Sequence, residues 1–130
     1  MRGKAEACIE GLKRHDLMCV HVESPDKAGH AGHAGRVDYK IQAIEDFDKK
    51  IVGPILDYLK SNGDYRAVAC PDHPTPVALK THTRDPIPFA MCGTGIAVDQ
   101  NQFYDERLLQ MGSRSFDPGH QMMAYMLNDS

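Results

Sequence analysis

The stretch Leu17–Gln42, LMCVHVESPDKAGHAGHAGRVDYKIQ, decides how the chain is read. It opens on a nearly continuous apolar run, Leu17–Val22, about the length of a strand buried on both faces as in a parallel sheet. Pro25 stops that run, and the glycine-rich DKAGHAGHAG (26–35) reads as a loop. From Val37 the period changes. Val37, Ile41, Ile44, Ile51, Ile55 and Leu59 recur at spacings of three, four or seven, which predicts one long helix to about Lys60. Strand, loop and helix in that order are a unit of an α/β layered fold.

Working outward, Lys4–Arg14 reads as a helix with Ala5, Cys8, Ile9 and Leu12 on one face. Gly53-Pro54 lies inside the long helix. Proline there removes one helical hydrogen bond, which predicts a kink rather than a stop, and the turn SNGD ends the helix. Tyr65–Cys70 is a second strand, Val77–Leu79 a short one, and Ile87–Cys92 a third apolar run turned by Gly93-Thr94-Gly95. Tyr104–Met111 reads as a helix with Asp105 and Glu106 favourable in its first turn. A last helix starts near Pro118, and its methionines fill core. Without repeats or linkers, residues 1–130 are expected to form a single domain.

Hydrophobic residues make up 42% and charged residues 25%, ordinary for a soluble globular protein. A formal charge of −3 gives no footprint for nucleic acid or an anionic membrane. No apolar run is long enough to span a bilayer, and the first residues lack a signal-peptide h-region. Cys8, Cys19, Cys70 and Cys92 form no CxxC pair and read as small, reduced core residues, so a cytoplasmic location is expected.

Three polar clusters follow apolar runs, where sites form in open α/β sheets. They are Asp26 with His30, Asp72 with His73, and His82 in THT. Carboxylate mixed with imidazole suits a borderline divalent ion such as Zn²⁺ or Mn²⁺, and the lack of cysteines argues against a zinc finger. Singly, such a cluster reads more readily as a capped turn or a solvated loop; together, each at the end of a predicted strand, a metal site is as good a reading. The prolines of DHPTP would stiffen the second one. His33 is a spare ligand candidate, His21 reads as a hydrogen-bonded core residue, and His15 as solvated.

VHVESPDKAGHAG (20–32), KIQAIEDFDKKIVGPIL (40–56) and above all PDHPTPVALKTHTRDPIPF (71–89) resemble the archaeal-type, cofactor-independent phosphoglycerate mutases of the alkaline phosphatase superfamily. The resemblance implies part of a three-layer α/β/α sheet flanked by helices. It implies one metal held by Asp26, His30 and His82, and a second held by Asp72 and His73. It also implies exchange of 3-phosphoglycerate and 2-phosphoglycerate through a phosphoserine, with two divalent ions (Mn²⁺ or Zn²⁺) and no 2,3-bisphosphoglycerate.

The family's N-terminal Asp and nucleophilic Ser have no counterpart here, because Ser24, Ser61, Ser113 and Ser115 read as turn or surface residues. His33 stands where the family usually has an acidic residue. The expectation is therefore a C-terminal, metal-binding part of a longer enzyme, inactive alone. It would pair with a missing N-terminal portion or self-associate through the apolar face left open. Another phosphotransferase or hydrolase of the superfamily, including proteins labelled homoserine kinase, and a stand-alone metal-binding or interaction domain are the alternatives.

Overall fold

The computed structural model describes residues 2–30 and 36–128, which fall into two compact units. Of these, the first takes in 2–30, 36–63 and 73–84, the second 64–72 and 85–128.

The first unit is helical. Helix α1 (Arg2–Leu12) buries Ala5 and Cys8, as its spacing predicts. Helix α2 (Ser24–Gly29) stands where a loop is expected. The signals for it were local: Pro25 in the first helical turn, Asp26 beside the positive helix end, and glycine at its close. Helix α3 (Val37–Phe47) continues through a π-helical turn (Asp48–Val52) into α4 (Gly53–Lys60). The helix runs through Pro54 without stopping, as predicted. Its adjustment precedes the proline: the Gly53 N–H donates to the Asp48 carbonyl, five residues back. That wider turn fits a position where Pro54 can neither donate nor tolerate a close carbonyl four residues earlier. Helix α1 packs on the π turn and α4, and α2 packs on α3.

The second unit holds the sheet, so the α/β class stands. Strands β1 (Arg66–Ala69) and β2 (Ala90–Gly93) pair antiparallel, Arg66 opposite Gly93 and Ala69 opposite Ala90. Gly93 has φ +121, and an added Cβ would lie 2.1 Å from the Tyr65 carbonyl oxygen, so only glycine fits. Phe89, Phe116 and Tyr125 form a ring chain with centroids 5.4 and 5.6 Å apart. Short helices α5 (Leu108–Met111) and α6 (Gln121–Leu127) complete the unit.

Several expectations are corrected. Leu17–Val22 joins no ladder among the described residues, because a strand needs a neighbour to accept its hydrogen bonds and none lies beside it. Val77–Leu79 is a turn rather than a strand, and β1 and β2 run antiparallel rather than parallel. The helix expected over Tyr104–Met111 forms only at Leu108–Met111. Of the cysteines only Cys8 is buried, and burial, with Cys19 nearby, pushes its thiol pKa up. His21 is exposed instead of in a core, and its carbonyl accepts from Lys4 Nζ at 2.6 Å.

The core is thin. Among the described residues the buried apolar set is Ala5, Cys8, Ala28 and Ile51. The α3 stripe remains open to solvent, with Val37 55%, Ile41 50% and Ile44 45% exposed.

Candidate metal centre

Two local devices in the first unit build a cluster of donors. One is α2. Helical geometry puts residues four apart on one face, so Asp26 Oδ2 meets His30 Nε2 at 3.3 Å. The other is the loop 73–83. The Thr83 N–H donates to the Pro74 carbonyl at 3.1 Å and closes it. Within it, the N–H groups of Leu79 and Lys80 both return to the Pro76 carbonyl, and Lys80 takes a left-handed φ of 57 to reverse the chain. Closure stacks the rings of His73 and His82, with centroids 3.6 Å apart.

A glycine lets the two devices meet. A Cβ on buried Gly29 would lie 2.9 Å from both the Thr75 methyl and the Thr75 carbonyl oxygen. Thr75 is 5% exposed. Its hydroxyl donates to Asp26 Oδ1 at 2.6 Å and lies 3.2 Å from His73 Nδ1. Lys40 Nζ, from α3, donates to the Thr75 carbonyl at 2.9 Å.

The donors converge. Asp26 Oδ1 is 3.2 Å from His82 Nε2, and the Nε2 atoms of His30 and His82 are 3.1 Å apart. Ligands roughly 2.0–2.1 Å from a tetrahedral ion lie roughly 3.3–3.4 Å from one another. The contacts of His30 with Asp26 Oδ2, of His82 with Asp26 Oδ1 and of the two imidazoles with each other, at 3.1 to 3.3 Å, lie near that edge length, with the two histidines on different carboxylate oxygens. Asp26, His73 and His82 also offer ligand atoms within 4.8 Å of one another. Partial burial pushes the Asp26 pKa up. The Thr75 hydrogen bond and the facing imidazoles of His30, His82 and His73 outweigh it and hold the carboxyl below its usual range. Two imidazole lone pairs and a carboxylate this close repel unless a proton or a cation sits among them. The donor set therefore fits a divalent ion.

The cluster draws on the first unit alone. His73, which the sequence reading paired with Asp72, stacks within it. Asp72 belongs to the second unit. His33 lies outside the described residues. The sequence reading missed Thr75 as a contact residue, although its place between two prolines in DHPTP marked a stiff loop. Ser61 Oγ donates to the Asp57 carbonyl and Ser113 Oγ to Asp99 Oδ2, roles that suit the turn reading of both. A groove of about 470 Å³ lined by Ala5, Glu6, Ile9, Lys49, Lys50 and Pro54 takes in none of the cluster.

A family model described as the Metalloenzyme superfamily matches residues 1–118. A 2,3-bisphosphoglycerate-independent phosphoglycerate mutase of Methanosarcina acetivorans is 50% identical over 85% of this chain and 28% of its own length. The Methanothrix thermoacetophila protein of the same name is 39% identical over 96% of the chain and 31% of its own. A Geobacter sulfurreducens protein named as a probable mutase of this kind is 40% identical over 97% and 31%. The chain thus spans 28 to 31% of the length of these curated relatives. No solved structure matches it.

Proposed function

The chain belongs to the Metalloenzyme superfamily, and from that premise we propose that it is the metal-binding C-terminal part of a cofactor-independent phosphoglycerate mutase. The observation that carries this is the convergence of Asp26, His30 and His82 at 3.1 to 3.3 Å, in a sequence whose relatives bear the mutase name. The parent reaction exchanges 3-phosphoglycerate and 2-phosphoglycerate, a glycolytic step in the cytoplasm, without 2,3-bisphosphoglycerate. No helix among the described residues is long and apolar enough to cross a membrane.

Asp26, His30 and His82 would hold one divalent ion, and His73, stacked on His82, would serve a second. Mn²⁺ and Zn²⁺ suit these oxygen and imidazole donors. Bound there, such ions neutralise phosphate charge and lower the pKa of an attacking hydroxyl. This chain's own residues orient the donors: α2 sets the Asp26–His30 pair, and the closed 73–83 loop sets His73 against His82. The nucleophilic serine and the groups that bind phosphoglycerate would belong to the N-terminal portion. The open Val37, Ile41, Ile44 face of α3 supports a surface that this portion covers and that otherwise drives self-association.

The test is a chimera in which this chain replaces the matching segment of the Methanosarcina acetivorans mutase. It should interconvert the two phosphoglycerates and lose that activity with Asp26→Ala, while the chain alone turns over neither. A folded, metal-loaded chimera without mutase activity would sink the reaction assignment. Turnover by the isolated chain would sink its dependence on the missing portion.

A further inference from the structure

We propose that the Thr75 hydroxyl fixes the tautomer of His73 and the aim of Asp26, making Thr75 the positioning residue of the metal centre. The inference rests on that centre being a cation site. A hydroxyl carries one proton and accepts through its lone pairs. The Thr75 proton is committed to Asp26 Oδ1, at 2.6 Å, a charge-assisted bond to a carboxylate. Toward His73 Nδ1, at 3.2 Å, the same oxygen can then only accept. Nδ1 must therefore carry the ring hydrogen, and the lone pair of the neutral imidazole sits on Nε2. One side chain thus decides which nitrogen of His73 is a ligand atom and holds one oxygen of Asp26 in place.

Thr75 is itself locked from three sides. It is buried to 5% exposure, Lys40 Nζ holds its carbonyl at 2.9 Å, and the missing side chain of Gly29 gives it room. Groups that fix the orientation and tautomer of metal-binding histidines commonly change affinity when removed. A buried threonine shared between a carboxylate and an imidazole meets that description.

The experiment uses the 130-residue chain. Calorimetric titration with Zn²⁺ measures affinity, and ring ¹⁵N–¹H spectra of the zinc-free chain identify the His73 tautomer. Thr75→Val keeps the shape and removes the hydroxyl. It should bind Zn²⁺ about 10- to 100-fold more weakly and lose the Nδ1–H form, whereas Thr75→Ser stays within about 3-fold and keeps it. Thr75→Val with wild-type affinity and an unchanged His73 tautomer overturns the proposal, as does Thr75→Ser behaving like Thr75→Val. If Thr75→Val loses its helical circular dichroism, Gly29→Ala replaces it. That change displaces Thr75 without touching a donor and should weaken Zn²⁺ binding in the same direction, while unchanged affinity and tautomer overturn the proposal. A wild-type chain that binds no Zn²⁺ refutes the metal centre instead. The zinc-free spectra then decide the Thr75 claim on their own, Nδ1–H supporting it and Nε2–H overturning it.

Discussion

Polar side chains end on different things in the two units. In the second unit they end mostly on main chain. Arg66 donates through Nε to the Thr94 carbonyl at 2.9 Å and through one terminal nitrogen to the carbonyls of Tyr125, Met126 and Asn128, at 3.4, 3.3 and 2.5 Å. These are the acceptors a helix leaves over at its C-terminus, so Arg66 completes α6. In the first unit, Asp26, His30, His73 and His82 face one another. Groups matched to backbone are finished structure. A carboxylate and imidazoles that meet one another at ligand spacing are the set a cation would use, and there the chemistry is expected.

The largest effect should come from Gly93→Ala. A Cβ 2.1 Å from the Tyr65 carbonyl cannot be accommodated, and the second unit should lose about 3–4 kcal/mol. Hydrogen exchange should show the loss in β1 and β2, while the donors of the first unit keep their Zn²⁺ affinity. A fall in affinity would break the contrast between the units. Asp26→Ala is the mirror experiment: about 100-fold or more weaker Zn²⁺ binding by calorimetry, with β1 and β2 exchanging as before. Unchanged binding would mean that the converging donors are not the site.

Arg66→Met should cost the second unit about 2 kcal/mol in urea unfolding, from lost charge-assisted bonds to carbonyls, and leave Zn²⁺ binding alone. The smallest effect concerns pH. Burial, with Cys70 and Glu106 nearby, pushes the Tyr104 phenol up to about 12. Its hydroxyl donates to the Pro88 carbonyl at 3.1 Å. A folded pKa above the unfolded value favours the neutral phenol. That stabilisation is complete below roughly pH 10 and is lost as pH rises through about 12. The residue is 45% exposed, which keeps the effect small. Tyr104→Phe should flatten this alkaline limb in urea titrations, and an unchanged limb would assign it elsewhere.

Legibility followed the range of the forces involved. The helix from Val37 to Lys60 was readable because its apolar period and its hydrogen bonds are local, and Pro54 announced an irregularity whose place, one turn earlier, it did not give. Leu17–Val22 was misread because strand formation depends on a neighbour that a local pattern cannot supply. The helix α2 is legible in Pro25, Asp26 and Gly29, but the glycine-rich sequence that follows outweighs those signals and points to a loop. Among the site residues, Asp26 and His30 are four apart, a helical spacing. His82 could be singled out by its neighbours, but its contact with Asp26 spans 56 positions and appears only once the 73–83 loop closes. Thr75 was the hardest to see, since one buried hydroxyl between two partners leaves no pattern in a sequence.

The thin core has a calorimetric consequence. With Ala5, Cys8, Ala28 and Ile51 as the buried apolar residues described, the other described apolar residues at least partly exposed and Val98 95% exposed, unfolding uncovers less apolar surface than a core of fully buried side chains would. The heat-capacity increment should therefore fall below the ordinary value of about 12–15 cal/mol/K per residue. A small increment flattens the dependence of stability on temperature, and the same deficit makes urea a weak lever. This chain should melt over a broad range and lose little stability on cooling.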